Sequence, residues 1–188
     1  MIMKNFLLEK VFTLIEPAPV LIVSTAVGKR KNMMTISWST PIAFEPLFAI
    51  VTGPWNYSFD ALMNAGECVA AIPDISLVGK AVGIGTCSGS GCDKFKKFGL
   101  TAKRAKMVGA PLIQDCAYNI ECKVRDYIKR RDIVILEAVK AWESSDAKKR
   151  KLFSAVGDGT FVSEGRRWDF RKEMQSKLPP CFRRSGLK

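Results

Sequence analysis

From Met34 to Ser39 the chain alternates strictly, Met-Thr-Ile-Ser-Trp-Ser. In an extended strand Met34, Ile36 and Trp38 share one face, and Thr35, Ser37 and Ser39 share the other. A row of short hydroxyls without charge, in a chain that is 26% charged, suits a surface that a polar ligand approaches closely. It also fits a Thr/Ser-rich strand that simply tolerates water. Six cysteines are present, none in a Cys-x-x-Cys pair, so neither a zinc ribbon nor a thioredoxin-type site is signalled. Their default is the reduced, buried thiol. Cys87 and Cys92, in a Gly/Ser stretch, are the one pair placed for redox chemistry. Histidine is absent, which removes Ser-His-Asp and Cys-His nucleophile pairs and the usual imidazole base. A zinc site would need thiolates and carboxylates alone. The chemistry is therefore expected on a bound cofactor, with no catalytic side chain and no metal site.

The elements that must position these groups follow from pattern. Residues 1–18 read as an entry segment ending in Pro17-Ala-Pro19, which favours extended backbone. Val20 to Val27 is a continuous β-branched apolar run, the pattern of a strand buried on both faces. Gly28 to Asn32 reads as a turn, with Gly28 and Asn32 able to take positive φ and three cations at the tip. The hydroxyl-bearing strand then returns as the second arm of a hairpin. Pro41 and Pro46 bracket the passage to a third strand, Leu47 to Thr52. Asn56 or Ser58 is placed to cap a helix running to Ala65 with Gly66 as its stop, and such a start is a natural phosphate seat. Cys68 to Ile72 reads as a strand and Ile75 to Val82 as a helix capped by Asp74. The glycine-rich Gly83 to Cys92 fits no nucleotide fingerprint. Asp93 to Phe98 is a helical turn stopped by Gly99. Tyr118 to Arg125 alternates as a half-exposed strand, and Ile133 to Trp142 is a long apolar one. Phe161-Val162 reads as a last edge strand. The sum is a mainly β fold with short helices, a closed or split barrel, in one domain over 1–165.

At 188 residues and 47% apolar the chain can bury a sizeable core. Neither a signal-peptide pattern nor a run near the ~20 apolar residues of a membrane span is found, which predicts a soluble, cytoplasmic protein. The net charge is +12, and residues 166–188 form a basic arm with eight Lys/Arg against Asp169 and Glu173.

In order along the chain, Pro19-Val-Leu-Ile-Val-Ser24-Thr25, Asn32-Met-Met34-Thr35-Ile-Ser37-Trp38, Pro46-Leu-Phe-Ala-Ile-Val, Asn56-Tyr-Ser58, Gly66-Glu-Cys-Val-Ala-Ala-Ile-Pro73, Cys87-Ser88-Gly89, Asp93-Lys94-Phe95 and Glu121-Cys122 resemble the flavin reductase-like, FMN-binding split-barrel family, and within it the flavoredoxin group. The resemblance spans roughly Pro19 to Glu143. It implies a homodimer of Greek-key split barrels that binds FMN near the subunit interface. It further implies oxidoreductase chemistry, with hydride or electrons passing between NAD(P)H or a protein donor and the flavin or a redox partner. Asn32, Met34, Thr35, Ser37 and Trp38 would then lie along the ribityl chain and ring. Asn56, Tyr57 and Ser58 would hold the phosphate, and Ser88, Gly89 and Lys94 would approach from the glycine loop. Lys94 would favour the anionic reduced flavin; its plain alternative is a solvated lysine on a short helix. Tyr57 stands where many relatives carry a basic residue or histidine. Phosphate neutralisation would thus come from elsewhere, with Lys80 and the Lys29-Arg30-Lys31 turn as candidates.

The competing reading is a basic β-barrel module for single-stranded nucleic acid, using the arm and its aromatics Trp168, Phe170 and Phe182.

Overall fold

Val27 and Arg30 face each other across a two-residue loop, Gly28-Lys29, in a computed structural model that describes residues 2–174 and 177–183. Gly28 takes φ +58°, the left-handed value a tight hairpin asks of its first loop residue, where any Cβ is strained. Asn32 does not share it: among described non-glycine residues positive φ occurs only at Ala18 and Asp132. Asn32 is already inside the returning strand, paired with Thr25, so the turn is shorter than the sequence suggests.

Around this hairpin the strands are β1 (Met3–Phe6), β2 (Leu21–Val27), β3 (Arg30–Ile36), β4 (Ser39–Pro41), β5 (Leu47–Val51), β6 (Glu67–Ile72), β7 (Ala102–Lys103), β8 (Leu112–Ile113), β9 (Tyr118–Ile128), β10 (Ile133–Ser144), β11 (Phe153–Ala155) and β12 (Phe161–Ser163). The helices are α1 (Phe12–Ile15), α2 (Phe59–Ala65), α3 (Val78–Thr86), α4 (Lys94–Lys97) and α5 (Pro180–Arg183). The main sheet runs β3-β2-β6-β9-β10-β5-β4, with β1 added antiparallel to β10. It curls into a Greek-key split barrel, a fold that is mainly β with short helices. Register shifts at Ile135/Leu136 and Ala138/Lys140 sharpen the coil of β10 against β9.

Leu21, Val23, Met34, Ile36, Phe48, Ile50, Cys68, Ala70, Ile120 and Leu136 fill the barrel interior, closed by Leu14 and Ile15 of α1 and by Leu62 of α2. Burying each of the larger side chains contributes about 1.5–3 kcal/mol. The outer faces of β2 and β3 are covered as well. Ile22 and Met33 pack under Ala81 and Ile84 of α3 and Phe95 of α4. That second layer is why β2 reads as an unbroken apolar run.

Several expectations need correction. The leading segment is more than an entry to the first hairpin: it holds β1 and α1. The hydroxyl-bearing strand stops at Ile36, and Trp38 is 69% exposed instead of facing inward with Met34. Helix α3 continues four residues into the glycine-rich stretch, to Thr86. The first half of β9 is buried on both faces, Asn119 and Glu121 included. The Glu121 carboxylate is compensated by backbone N–H groups of Lys106, Met107 and Val108 and by Trp142 Nε1. Strand β12 exists, but it pairs with β11 in a separate two-stranded sheet. Within the basic arm, residues 175–176 and 184–188 lie outside the described residues.

Candidate functional site

Four segments converge where β3 runs beneath the end of α3. Strand β3 supplies Met34 and Thr35, and the loop after β5 supplies Trp55, Asn56 and Tyr57. The end of α3 supplies Ile84 and Gly85, followed by Cys87 and Ser88, and α4 supplies Lys94; together they line a cavity of about 210 Å³. Asn56 and Tyr57 are also walls of a second cavity of about 390 Å³, which Thr25, Arg30, Asn32 and Asp60 complete. The first cavity alone is smaller than the ~300–1,000 Å³ usual for a small-molecule site, whereas the second lies within that range and shares its wall.

The polar groups of the second cavity are incompletely matched. Asn32 Nδ2 donates to Ser58 Oγ at 2.9 Å, with both residues buried. Asn32 Oδ1 and the hydroxyl of its cross-strand neighbour Thr25 are buried without a hydrogen-bond partner. Leaving such groups unmatched costs about 1–3 kcal/mol each. Arg30 supplies the positive charge. Its guanidinium lies 5.3 Å from the Tyr57 ring centroid, and its Nη2 donates to the carbonyls of Gly89 and Ser90 at 3.3 Å. Arg30 thereby straps the glycine loop down beside Asn32. The loop can come that close only because residue 89 is glycine: a Cβ there would sit 2.1 Å from Asn32 Nδ2.

In the first cavity the groups are already engaged. Thr35 Oγ1 donates to Ala81 O of α3 at 2.6 Å, and the helix comes this close at Gly85, whose Cβ would lie 3.3 Å from Thr35 Cβ. Lys94 is 4% exposed, and its Nζ donates to Met33 O and Ile84 O at 2.8 Å each. It pins β3 to α3 and is not a solvated lysine. Burial pushes its pKa down, and the nearby Cys87 and Cys92 push it partly back. Asn56 Nδ2 reaches Thr52 Oγ1 at 3.0 Å, and Thr52 in turn donates to Met34 Sδ.

The fold thus gathers Met34, Thr35, Asn56, Tyr57, Ser88 and Lys94 around one cavity, with Asn32 and Ser58 across its wall and Gly89 against Asn32. It does not bring Ser37 or Trp38 there; both are exposed beyond the end of β3. Ser58 occupies the N-cap position of α2, but its hydroxyl makes no cap bond to the helix and instead accepts from Asn32. Of the cations considered for phosphate, Lys80 is turned away, bonding Gly99 O at 3.2 Å, while Arg30 lines the second cavity. Sequence reasoning missed Thr25, Thr52 and Trp55. The hairpin register would have exposed Thr25, because it pairs with Asn32; nothing local marks the other two.

The aromatics of the basic arm do not form one presented row. Phe182 packs edge-on against Phe12 at 6.4 Å with Lys10 over its ring, while Trp168 and Phe170 are exposed. No described helix is long and apolar enough to cross a membrane.

Among known proteins, an uncharacterized protein of Archaeoglobus fulgidus is 34% identical over 105 residues, covering 55% of this chain and 59% of that protein. The match therefore spans less than two thirds of that relative. An FMN-binding domain of a flavin reductases-like enzyme from Shewanella baltica OS155 superposes with a TM-score of 0.81 at 17% identity, over 89% of this chain and 97% of that one. Flavoredoxin of Desulfovibrio vulgaris (Miyazaki F) gives 0.73 at 23% identity, over 81% and 89%. These neighbours share the split-barrel fold, and the flavin reductase like domain matches residues 15–158, so the chain belongs to the flavin reductase-like family.

Proposed function

We propose that the chain binds FMN across the two cavities that share the Asn56–Tyr57 wall, and works as an oxidoreductase of the flavin reductase or flavoredoxin type. The observation that carries this reading is the pair of unmatched buried atoms, Asn32 Oδ1 and Thr25 Oγ1, with the Arg30 guanidinium lining the same cavity. A polyol or phosphate has the donors, acceptors and negative charge to match them. Trp55, 64% exposed at the cavity wall, offers apolar contact to a flat ring. Lys94 and the hydroxyl of Thr35 act one step back, by holding β3 against α3. The FMN-binding description of the Shewanella relative supports the assignment.

When bound, the flavin supplies hydride or electron transfer, and the protein supplies position and surrounding charge. With no histidine in the chain, no side chain is assigned as a general base. NAD(P)H or a redox protein is the proposed donor, and a homodimer the proposed assembly. Residues 166–188 are read as a basic arm that FMN binding does not need. Titration of the purified protein with FMN, followed by flavin fluorescence and absorbance, tests the reading. Saturable binding with NADH or NADPH oxidation dependent on added FMN is expected. A colourless protein that binds no FMN overturns it.

A further inference from the structure

We propose that Cys87 and Cys92 form a two-electron dithiol–disulfide couple that reduces low-molecular-weight disulfides bearing carboxylates. The two Sγ atoms lie 3.2 Å apart at the ends of Cys87-Ser-Gly-Ser-Gly-Cys92, with both thiols partly exposed. Closure to the ~2.05 Å of a disulfide asks for a movement of about an ångström. Gly91 sits in open space, where even a Cβ would meet nothing within 4 Å. Among the described residues no set of three or more cysteines, aspartates or glutamates is gathered to hold a metal.

The surroundings divide the roles. Lys97 Nζ reaches Cys87 Sγ at 3.2 Å, and Cys92 Sγ lies against both Cys87 Sγ and Ser88 O, the latter at 3.4 Å. Either sulfur can donate between the two cysteines, and Cys87 Sγ also lies 3.6 Å from Ser88 O. What distinguishes them is the Lys97 ammonium, which contacts Cys87 and favours the thiolate there, with Cys92 as the resolving thiol. The pKa directions agree: Cys87 is lowered, first by the Cys92 hydrogen bond and then by Lys97, and Cys92 is raised. On its other side the loop borders a cavity of about 380 Å³, where Lys29, Arg30 and Lys31 face Gly89 to Asp93. The one carboxylate on that wall, Asp93, caps the Lys96 N–H. Cys92 lines that cavity and Cys87 lines the one on the opposite side, so three cations draw an anionic disulfide to the Cys92 side of the loop while the Lys97 ammonium stands against Cys87.

The step balances. The Cys87 thiolate attacks one sulfur of R–S–S–R, the S–S bond breaks, and the first R–S⁻ leaves and takes a proton from solvent. Cys92 gives its proton to solvent and attacks Cys87 Sγ, releasing the second R–S⁻ and closing the loop disulfide. Two protein thiols are oxidised and one external disulfide is reduced to two thiols. Exchange with a low-molecular-weight dithiol reverses it. No flavin takes part in this exchange, so it stands or falls apart from the FMN reading.

The test uses the full chain without flavin, in a Cys181→Ser background that removes the other partly exposed thiol. The probe is dithionitrobenzoate, an aromatic disulfide with two carboxylates. Two thionitrobenzoates released per chain, with a peptide joined through Cys87 and Cys92 and no adduct left, is the expected result. In Cys92→Ser one is released and the adduct stays on Cys87; in Cys87→Ser the reaction slows several-fold. Stable adducts on the wild-type loop, or reaction centred on Cys92, would overturn the couple. Added salt should slow dithionitrobenzoate and leave uncharged hydroxyethyl disulfide unchanged; an equal response overturns the carboxylate preference.

Discussion

Two pairs of cysteines lie side by side in this molecule, and their settings could hardly differ more. Cys68 on β6 and Cys122 on β9 are directly opposite each other in the barrel wall, both 0% exposed. Burial pushes the Cys122 thiol well above its ordinary value, and the hydrogen bond with Cys68 adds to this. Cys87 and Cys92 have their sulfurs 3.2 Å apart, but they sit on a glycine loop at the rim of a cavity with a lysine against one sulfur. The thiols are chemically identical; exposure and local charge alone make one pair inert packing and the other a nucleophile with a resolving partner. Brief labelling of the folded protein with iodoacetamide should separate them by the largest factor of any test here. The core pair reacts only through opening of the barrel, so Cys87 should label at least ~10³-fold faster than Cys68 or Cys122 if that opening costs about 5 kcal/mol or more. Comparable rates, read by peptide mass mapping, would erase the distinction.

The next test ties the reactive pair to the candidate flavin site. Cys87 lines the cavity that shares a wall with Asn32, so bound FMN should protect Cys87 from alkylation and leave the Cys68–Cys122 rung unaffected. Asn32→Ala removes the unmatched Oδ1 that the ligand is proposed to satisfy. The FMN concentration giving half-protection should rise about thirtyfold, the middle of the ~1–3 kcal/mol cost of an unmatched buried polar group. Protection unchanged by the substitution would place the ligand elsewhere.

The comparison also shows what the sequence could reveal. The β2–β3 hairpin was legible because Gly28 and the alternation around Met34 are local signals, and the fold class followed from such pieces in order. The loop position of Cys87 and Cys92 was equally local. What covers the hydroxyl face of β3 was not, since Thr35 meets Ala81 across 46 positions and only the packing of α3 decides that contact. The Cys68–Cys122 rung has the same origin: barrel closure sets the β6–β9 register, and no turn between them fixes it. Lys94 shows the limit most plainly. Charge and a short helix indicate a solvated side chain, yet two carbonyls, Met33 O and Ile84 O, hold its ammonium inside. Ser37 and Trp38 lie outside the two cavities for the opposite reason, because β3 ends before the alternation does.

A smaller effect is expected at Lys97. Its ammonium stabilises the Cys87 thiolate, so Lys97→Gln should move the pH profile of Cys87 alkylation upward and reduce the rate at neutral pH several-fold. The core pair, remote from that charge, should keep its profile. A profile unmoved by Lys97→Gln would leave the Cys92 hydrogen bond as the sole support of the thiolate.

The finest distinction concerns why the core pair stays closed. One rung from Cys68–Cys122, Glu67 faces Lys123 in an ion pair, and Gly109 N–H donates to the same carboxylate at 2.6 Å. Burial acts to raise the Glu67 pKa, but the Lys123 and Gly109 hydrogen bonds outweigh it and the net shift is downward. A carboxylate held below its unfolded value stabilises the fold above that value and ceases to do so as pH falls through the folded one. Lys123 is 41% exposed, so solvent screening limits the pair to about 1 kcal/mol or less. Glu67→Gln should therefore speed labelling of Cys68 and Cys122 by only about threefold at neutral pH, without touching Cys87. With dithiodipyridine, which stays reactive towards thiols in acid, wild type and variant should converge as Glu67 protonates. A difference that persisted in acid would show that the ion pair is not what steadies the rung, and that the inertness of the core cysteines comes from packing alone.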